Sequence, residues 1–498
     1  MLLERNVNKM ELRKVLNGIE NLKAKGNLEI DINKIEKDSR LIKQGDLFVA
    51  IRGFETDGHD YIETAIQNGA AAVMVDKDCD LKKLNVPENI ALLVADNTRK
   101  ALAISACNIN GNPSKKFKLI GITGTKGKTT TTFMIKNILE KAGQKVGLIG
   151  SVAVYIGKEK LEDSERTTPE SIDLQKIFAR MAKENVDTVV IEVSSQSLKL
   201  DRVTGSDFDM VVFTNFSKDH ISEKEHSDME DYYNSKLKLF TMCKNVYLNA
   251  DDFNVIKVKK LIKDLEIKTY GIDNGADFLA KDVTVQNSGT DYKIRLNEKN
   301  ERIKVAIPGR FSIYNSLAAI AVCQKLGASV DNIKDGLLEI AVPGRSELVP
   351  NDKGLTIMID YAHSPESLEN ILKSTKSYAK GNVISVFGCG GNRDNTKRPI
   401  MGEISGKIAD YTIITSDNPR FENPKEIINE IESGIKKTNG KYECIIDRIE
   451  AIKKAIKIAT KRDVIILAGK GHEPYQEING EKHSFDEREI VKNILKEM

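Results

Sequence analysis

The stretch FKLIGITGTKGKTTTTF, residues 117–133, constrains this chain more than any other. Phe117 to Ile122 read as an apolar run, which suits a buried parallel strand. A turn carrying Gly124, Thr125, Lys126 and Gly127 follows, and Lys128 with Thr129 to Thr132 opens an amphipathic helix. Strand, glycine turn and helix N-terminus in this order make a phosphate cradle. Small residues let backbone N–H groups converge on phosphate oxygens, the lysine adds positive charge, and a threonine hydroxyl can hold Mg2+. The expected guest is a nucleoside triphosphate. The spacing G-x-x-x-x-G-K-[ST] is not met, because Ile122 stands five residues before Gly127; only the shorter G-T-x-G-K-T-T form is present. An ordinary glycine-rich turn is the alternative reading of the same residues.

A chain of 498 residues exceeds what one hydrophobic core serves, so about three domains are expected. Residues 1–113 carry strand-like runs at 47–51, 72–75 and 90–94 between helical patterns at 60–69 and 97–110. Gly111-Asn112-Pro113 breaks the last helix. Residues 114–345 add strands at 146–149, 188–193, 210–213 and 245–248, then a β-rich passage over 278–307 with turn signals at Asn287-Ser288-Gly289 and Asn297. Residues 346–498 repeat the α/β alternation, with strands at 355–359, 382–387, 411–415 and 463–467. The fold class is therefore α/β in three domains: a small N-terminal α/β domain, a central P-loop ATPase-like parallel sheet with a β-rich addition, and a C-terminal Rossmann-like domain.

Composition narrows the partners. Basic and acidic residues number 76 and 73 and are interspersed, so no patch for nucleic acid stands out. The cysteines, Cys79, Cys107, Cys243, Cys323, Cys389 and Cys444, lie far apart with no C-x-x-C pair, which supports neither a zinc site nor a disulfide framework. No window approaches the roughly 18 apolar residues of a membrane span, and a cytoplasmic location is expected.

Chemistry is expected at strand ends, where ligands of open α/β sheets collect. Glu192 closes the strand 188–191 and suits Mg2+; a solvated carboxylate is the plainer reading. Thr214-Asn215-Phe216-Ser217-Lys218-Asp219-His220 follows the strand 210–213, and His220 beside a carboxylate suits metal binding or proton transfer, although a lone histidine is more often structural. Lys236 lies on a helix whose lysines would ordinarily be solvated, and nothing in its own setting selects it. Asp38-Ser39-Arg40 is a polar turn explained as well by turn chemistry as by ligand binding. Four polar clusters follow the late strands: Asp360 to Pro365 with His363, Gly388 to Asp394 with Arg393, Asp417-Asn418-Pro419-Arg420, and Gly469-Lys470-Gly471-His472-Glu473. Together they outline one crevice in which Arg393 and Arg420 match a carboxylate and Glu473 an ammonium.

These motifs as a set resemble the Mur ligases, over nearly the whole chain: Asp38 to Arg40 with Gly45 to Ala50, the GTKGKTT loop, Arg166-Thr167-Thr168-Pro169, Glu192 to Ser195, Thr214 to His220, Asn249 to Asp252, Pro343-Gly344-Arg345 and the four late clusters. The branch that adds the third residue of the cell-wall peptide precursor is most similar, and in it the sequence DNPR marks addition of meso-2,6-diaminopimelate. The resemblance implies an ADP-forming ligase acting through an acyl phosphate, with ATP and Mg2+, on UDP-MurNAc-L-Ala-D-Glu. It implies Gly124 to Thr130, with Lys128 and Thr129 foremost, Asn249 and Arg345 for ATP. It implies Thr129, Glu192, His220 and a carbamylated Lys236 for metal, and Ser39, Thr167, Thr168, Ser194 and Arg202 for the UDP-linked acceptor. For the amino acid it implies Arg393, Asp417, Asn418, Arg420, Gly469 and Glu473, with His363 contacting the phosphoryl group or steadying the bound intermediate. A cytoplasmic monomer using small molecules alone is expected.

The sequence departs from the family pattern at Lys126, usually asparagine, at Gln196 and Ser197 in place of His-Gly, at Leu200, usually glutamine, and over Ile221 to His226, about two residues longer than usual. Addition of L-lysine, another ligase of the superfamily such as a folylpolyglutamate synthase or the D-Ala-D-Ala-adding enzyme, and an idle precursor-binding paralogue are the alternatives. DNPR and GKGHE argue against the other ligases, and retention of Lys128, Glu192, His220 and Lys236 against the idle paralogue.

Overall fold

Apolar runs without alternation become strands covered on both faces. Leu119, Ile120, Ile122 and Val189 to Ile191 are completely buried, as the run from Phe117 predicts. The computed structural model describes residues 9–219, 221–222 and 225–498, and divides into two compact units, Met1–Tyr270 and Gly271–Met498.

In the first unit a five-stranded sheet is built from β1 (Lys23–Lys25), β2 (Ile35–Glu36), β3 (Asp46–Val49), β4 (Ala70–Asp76) and β5 (Ala91–Ala95), in the order β1-β5-β4-β3-β2 and parallel except for β1. Helix α1 (Thr98–Ile109), capped by Asn97, packs its alanine-rich face on this core.

A larger sheet follows. Eight of its strands are β6 (Lys118–Thr123), β7 (Val146–Ile149), β8 (Ala153–Ile156), β9 (Glu159–Asp163), β10 (Thr188–Glu192), β11 (Phe208–Phe213), β12 (Cys243–Asn249) and β13 (Glu266–Gly271). They lie in the order β9-β8-β7-β10-β6-β11-β12-β13, antiparallel at β9-β8-β7 and parallel beyond. The antiparallel edge at 153–163 is an addition that the apolar periodicity did not announce, because the residues of β9 are polar and largely exposed. Helices α2 (Lys128–Lys141) and α3 (Ser171–Lys183) cross over between strands. Leu174, Phe178 and Met181 of α3 enter the same core as Leu119, Val189 and Val211. Among the described residues, the C-terminal ends of β6, β10, β11 and β12 therefore share one edge of the sheet.

The second unit begins with the expected hairpins, β14 (Lys281–Gln286), β15 (Gly289–Leu296) and β16 (Lys299–Val305), all antiparallel. Its main sheet uses β17 (Glu347–Leu348), β18 (Thr356–Asp360), β19 (Val383–Phe387), β20 (Tyr411–Ile414), β21 (Tyr442–Cys444) and β22 (Val464–Ala468), in the order β17-β18-β22-β19-β20-β21 and parallel except for β17. Leu368, Met401 and Ile431 cover one face, while Ile452, Ile456 and Val491 cover the other. A two-stranded ribbon, β23 (Tyr475–Ile478) and β24 (Glu481–Ser484), follows β22. No helix among the described residues is long and apolar enough to cross a membrane.

Candidate functional site

In the first unit the turn after β6 has the backbone its sequence demands. Gly124 and Gly127 hold φ of +141° and +86°, and Gly127 precedes the first residue of α2. Asn215 clamps the turn from the next strand end: its Oδ1 accepts from Lys126 N–H at 2.9 Å and its Nδ2 donates to Lys126 O at 3.0 Å. Thr125 Oγ1 meets Tyr232 Oη at 3.1 Å. Lys128 Nζ reaches back to the carbonyls of Gly124 and Thr125 at 2.9 and 3.0 Å, and Lys126 Nζ pairs with Asp219 Oδ2 at 3.1 Å. Thr130 is buried on the same helical turn.

Glu192 is not the solvated carboxylate of the plainer reading. It is buried, accepts from Thr129 Oγ1 at 3.0 Å, and takes both the N–H and the hydroxyl of Ser151 at 2.8 and 3.2 Å. This set of hard oxygens fits a Mg2+ ion. His220, expected beside it, lies outside the described residues. Among the described residues no cluster of three or more His, Cys, Asp or Glu side chains is arranged for a metal.

Lys236 departs most from its local sequence. Its helix, Met229–Leu237, turns it inward to 1% exposure, where Nζ donates to Gly124 O at 3.1 Å and stands 4.5 Å from the Tyr232 ring centroid. Burial, reinforced by Lys128 and opposed by Asp219, holds this amine well below the ordinary lysine range.

The residues expected to take the acceptor also converge. Thr167 Oγ1 meets Ser151 Oγ at 3.0 Å, and Thr168 Oγ1 donates to Glu192 O at 2.8 Å and accepts from Ser194 N–H at 3.1 Å. Arg202 donates to Thr168 O at 3.2 Å and pairs with Glu170 at 2.9 Å. Its buried Nε has no acceptor among the described residues. Lys37, two residues before the buried Ser39, stands 3.4 Å from the same Glu170 carboxylate. Asn249 is buried with both ends of its amide engaged, Nδ2 by Thr214 O and Oδ1 by Asp251 N–H, each at 3.0 Å.

In the second unit the four late clusters all follow parallel strand ends. Arg420, at φ +52°, donates from Nε to Glu477 at 2.9 Å and from Nη1 to Gly391 O at 2.8 Å. Asn418 Nδ2 donates to Glu473 Oε2 at 2.9 Å. Burial raises the Glu473 carboxyl above its ordinary value even with Lys470 and Asn418 beside it. Gly469 N–H donates to Asp360 O at 3.0 Å, and Asp417 lies against Gly469, 4.0 Å from Arg448. Arg393 is exposed and makes no hydrogen bond or ion pair among the described residues; it is the free guanidinium of the crevice. His363 Nδ1–H donates to Tyr361 O at 2.8 Å, which leaves Nε2 as an acceptor, and Lys397 Nζ holds its carbonyl at 2.8 Å.

Arg345 stacks on Tyr361 at 4.8 Å, beside the close pair Gly344 and Gly471. A Cβ on Gly344 would lie 2.2 Å from His472 N and 2.3 Å from Gly471 C, so no side chain fits there. Partners of the expected residues that sequence reasoning gave no role are the half-buried Asn215 and Ser151 and the buried Tyr232 and Lys470, together with the buried Arg398, which ties Gly390 to Glu422 and Glu430. The spacing of Tyr232 and Lys236, one helical turn apart, is the one available signal, since it puts an aromatic face and an amine together.

Family models agree along the chain. Residues 31–109 match the Mur ligase family, catalytic domain; residues 122–323 the Mur ligase middle domain; and residues 344–471 the Mur ligase, glutamate ligase domain. The UDP-N-acetylmuramoyl-L-alanyl-D-glutamate–2,6-diaminopimelate ligase of Clostridium botulinum is 46% identical over 98% of this chain and 100% of its own. The ligase of the same name from Caldanaerobacter subterraneus is 47% identical over 98% and 99%. A solved structure of a ligase with that name superposes with a TM-score of 0.73 at 28% identity, covering 98% of this chain and 99% of the other.

Proposed function

The chain belongs to the Mur ligases, ATP-dependent enzymes that form amide bonds, and we propose that its own reaction joins meso-2,6-diaminopimelate to UDP-N-acetylmuramoyl-L-alanyl-D-glutamate. The observation that carries the choice of amine is the crevice of the second unit. It offers, among the described residues, an unpaired guanidinium at Arg393, a second guanidinium at Arg420 held by Glu477 and the Gly391 carbonyl, and a half-buried carboxylate at Glu473 with one oxygen tied by Asn418. That set complements a ligand bearing both carboxylate and ammonium groups, and the name shared by the relatives points to the same amine.

The reaction begins when the acceptor's terminal carboxylate attacks the γ-phosphate of ATP, releasing ADP and leaving an acyl phosphate. The amine then displaces phosphate. Lys128 and the N–H groups of the 124–130 turn hold and neutralise the phosphates, with Arg345 and Asn249 assigned to the adenosine. Thr167, Thr168, Ser194 and Arg202, whose Nε waits for an acceptor, orient the carboxylate, and Ser39 serves the uridine end. Thr129, Glu192, His220 and a modified Lys236 would hold Mg2+, which supplies charge neutralisation at the transferring phosphoryl group.

Burial lowers the proton affinity of Lys236, which favours the neutral amine that can add CO2, losing a proton and becoming an anionic carbamate. His363 presents Nε2 as an acceptor for the intermediate. We assign the chain to the cytoplasm, as a monomer, in synthesis of the peptidoglycan precursor. Supplying the native chain with ATP, Mg2+, the UDP-linked dipeptide and either diaminopimelate or L-lysine, and following phosphate release, tests this. Turnover with diaminopimelate is expected; turnover with lysine alone reassigns the amine, and no turnover with either removes the acceptor assignment.

A further inference from the structure

Lys470 is completely buried in the floor of the amino-acid crevice, with the rings of Tyr475 and Phe485 5.7 and 5.8 Å from its Nζ. A buried lysine ordinarily hydrogen-bonds a carboxylate directly. This one donates to a neutral amide, Asn418 Oδ1, at 3.0 Å, while the nearest oxygen of Glu473 is 3.7 Å away. Glu477 N–H donates to the same Asn418 oxygen at 3.0 Å. Only the oxygen of an amide accepts two donors, so Nδ2 is committed to the opposite side, where it donates to Glu473 Oε2. No hydrogen bond from the described residues reaches Glu473 Oε1.

We propose that Lys470 is a positioning residue for the amine substrate: it locks the Asn418 amide so that Nδ2 ties down one oxygen of Glu473 and leaves the other for the substrate's ammonium. Without the lysine, the amide is free to turn its oxygen toward the Glu473 carboxylate, which repels that carboxylate and blurs its position. The inference rests on the assignment of this crevice to the diamino acid.

A cycle of Lys470→Met, Asn418→Ala and the double variant tests it in the full chain, with KM measured for each of the three substrates. Lys470→Met should raise the amine KM about tenfold, a cost typical of misplacing one charged contact, and leave kcat and the other two KM values within about twofold. The double variant should be no worse than Asn418→Ala alone, as for two residues acting through one group. Additive effects, or all three KM values rising together with a fall in Tm, overturn the proposal. Lys470→Gln keeps a donor without the charge and should restore the amine KM to within about threefold of native; a variant as defective as Lys470→Met rejects positioning even if the methionine variant does not fold. The amine panel on the native chain is read separately, so failure of the substrate assignment is distinguishable from failure of this role.

Discussion

Two buried lysines show how differently the two units handle charge. Lys236 sits under the phosphate turn against a carbonyl and an aromatic face, with Lys128 as a like charge nearby. Lys470 sits under the crevice of the late clusters among Asp417, Glu473 and Glu487, with Arg448 as a like charge nearby. Burial lowers the proton affinity of both. The first region is short of negative charge, which phosphates, or a carbamate on the lysine itself, would supply. The second carries its own acids and bases in near balance, as suits a ligand that brings both signs.

The largest test of this contrast is on the deficient side. Lys128→Ala should lower kcat on the order of a thousandfold, since it removes a cation aimed at developing phosphoryl charge, and a kinetic assay with saturating substrates reads it. Lys236→Met should abolish turnover to a similar extent yet raise Tm by a few degrees at neutral pH. The folded-state affinity of Lys236 for its proton lies below the unfolded value, so the unfolded chain binds more protons between the two and stability rises with pH across that window. Removing the amine removes this penalty; a lower Tm in calorimetry would contradict the picture of a buried amine whose proton affinity is lowered by its surroundings.

On the balanced side, Arg420→Ala should raise the amine KM about a hundredfold, the usual cost of stripping one guanidinium from a carboxylate contact, with the ATP KM within about twofold. Equal changes in both would remove Arg420 from the crevice. Glu473 must be ionised to hold an ammonium, and its carboxyl is raised by burial. Amine kcat/KM should therefore fall on acidification at a higher pH than an ordinary glutamate would impose, and Glu473→Gln should flatten that limb. The smallest change is expected at Lys126→Asn, less than about threefold in ATP KM, because an ion pair as exposed as the one it makes with Asp219 contributes little.

Much of this was legible in the sequence for physical reasons. Parallel strands read as apolar runs, and helix starts carry their caps: Asn97, Asp447 and Ser364 each accept from the backbone as their residue types suggest. The glycine turn, Glu192 and the four late clusters follow from strand ends being where an open sheet collects polar groups. The burial of Lys236 was not legible, because which face of a short helix turns inward depends on what packs against it, here the turn at Gly124 and Thr125, which meets both Lys236 and Tyr232. Nor was the indirect role of Lys470, since a lysine between two glycines says nothing about which amide it will find. The resemblance to the Mur ligases selected Lys236 where its local sequence could not.

Gly344 and Gly471 meet backbone to backbone, and Tyr361 N–H donates to the Gly344 carbonyl at 2.9 Å. With no side chain between them, the turn bearing Arg345 and the loop leading to Glu473 touch main chain to main chain. A side chain introduced at Gly344 would therefore push the turn bearing Arg345 off the loop that leads to Glu473, so a single methyl group at a residue that offers no chemistry of its own should disturb both loops at once.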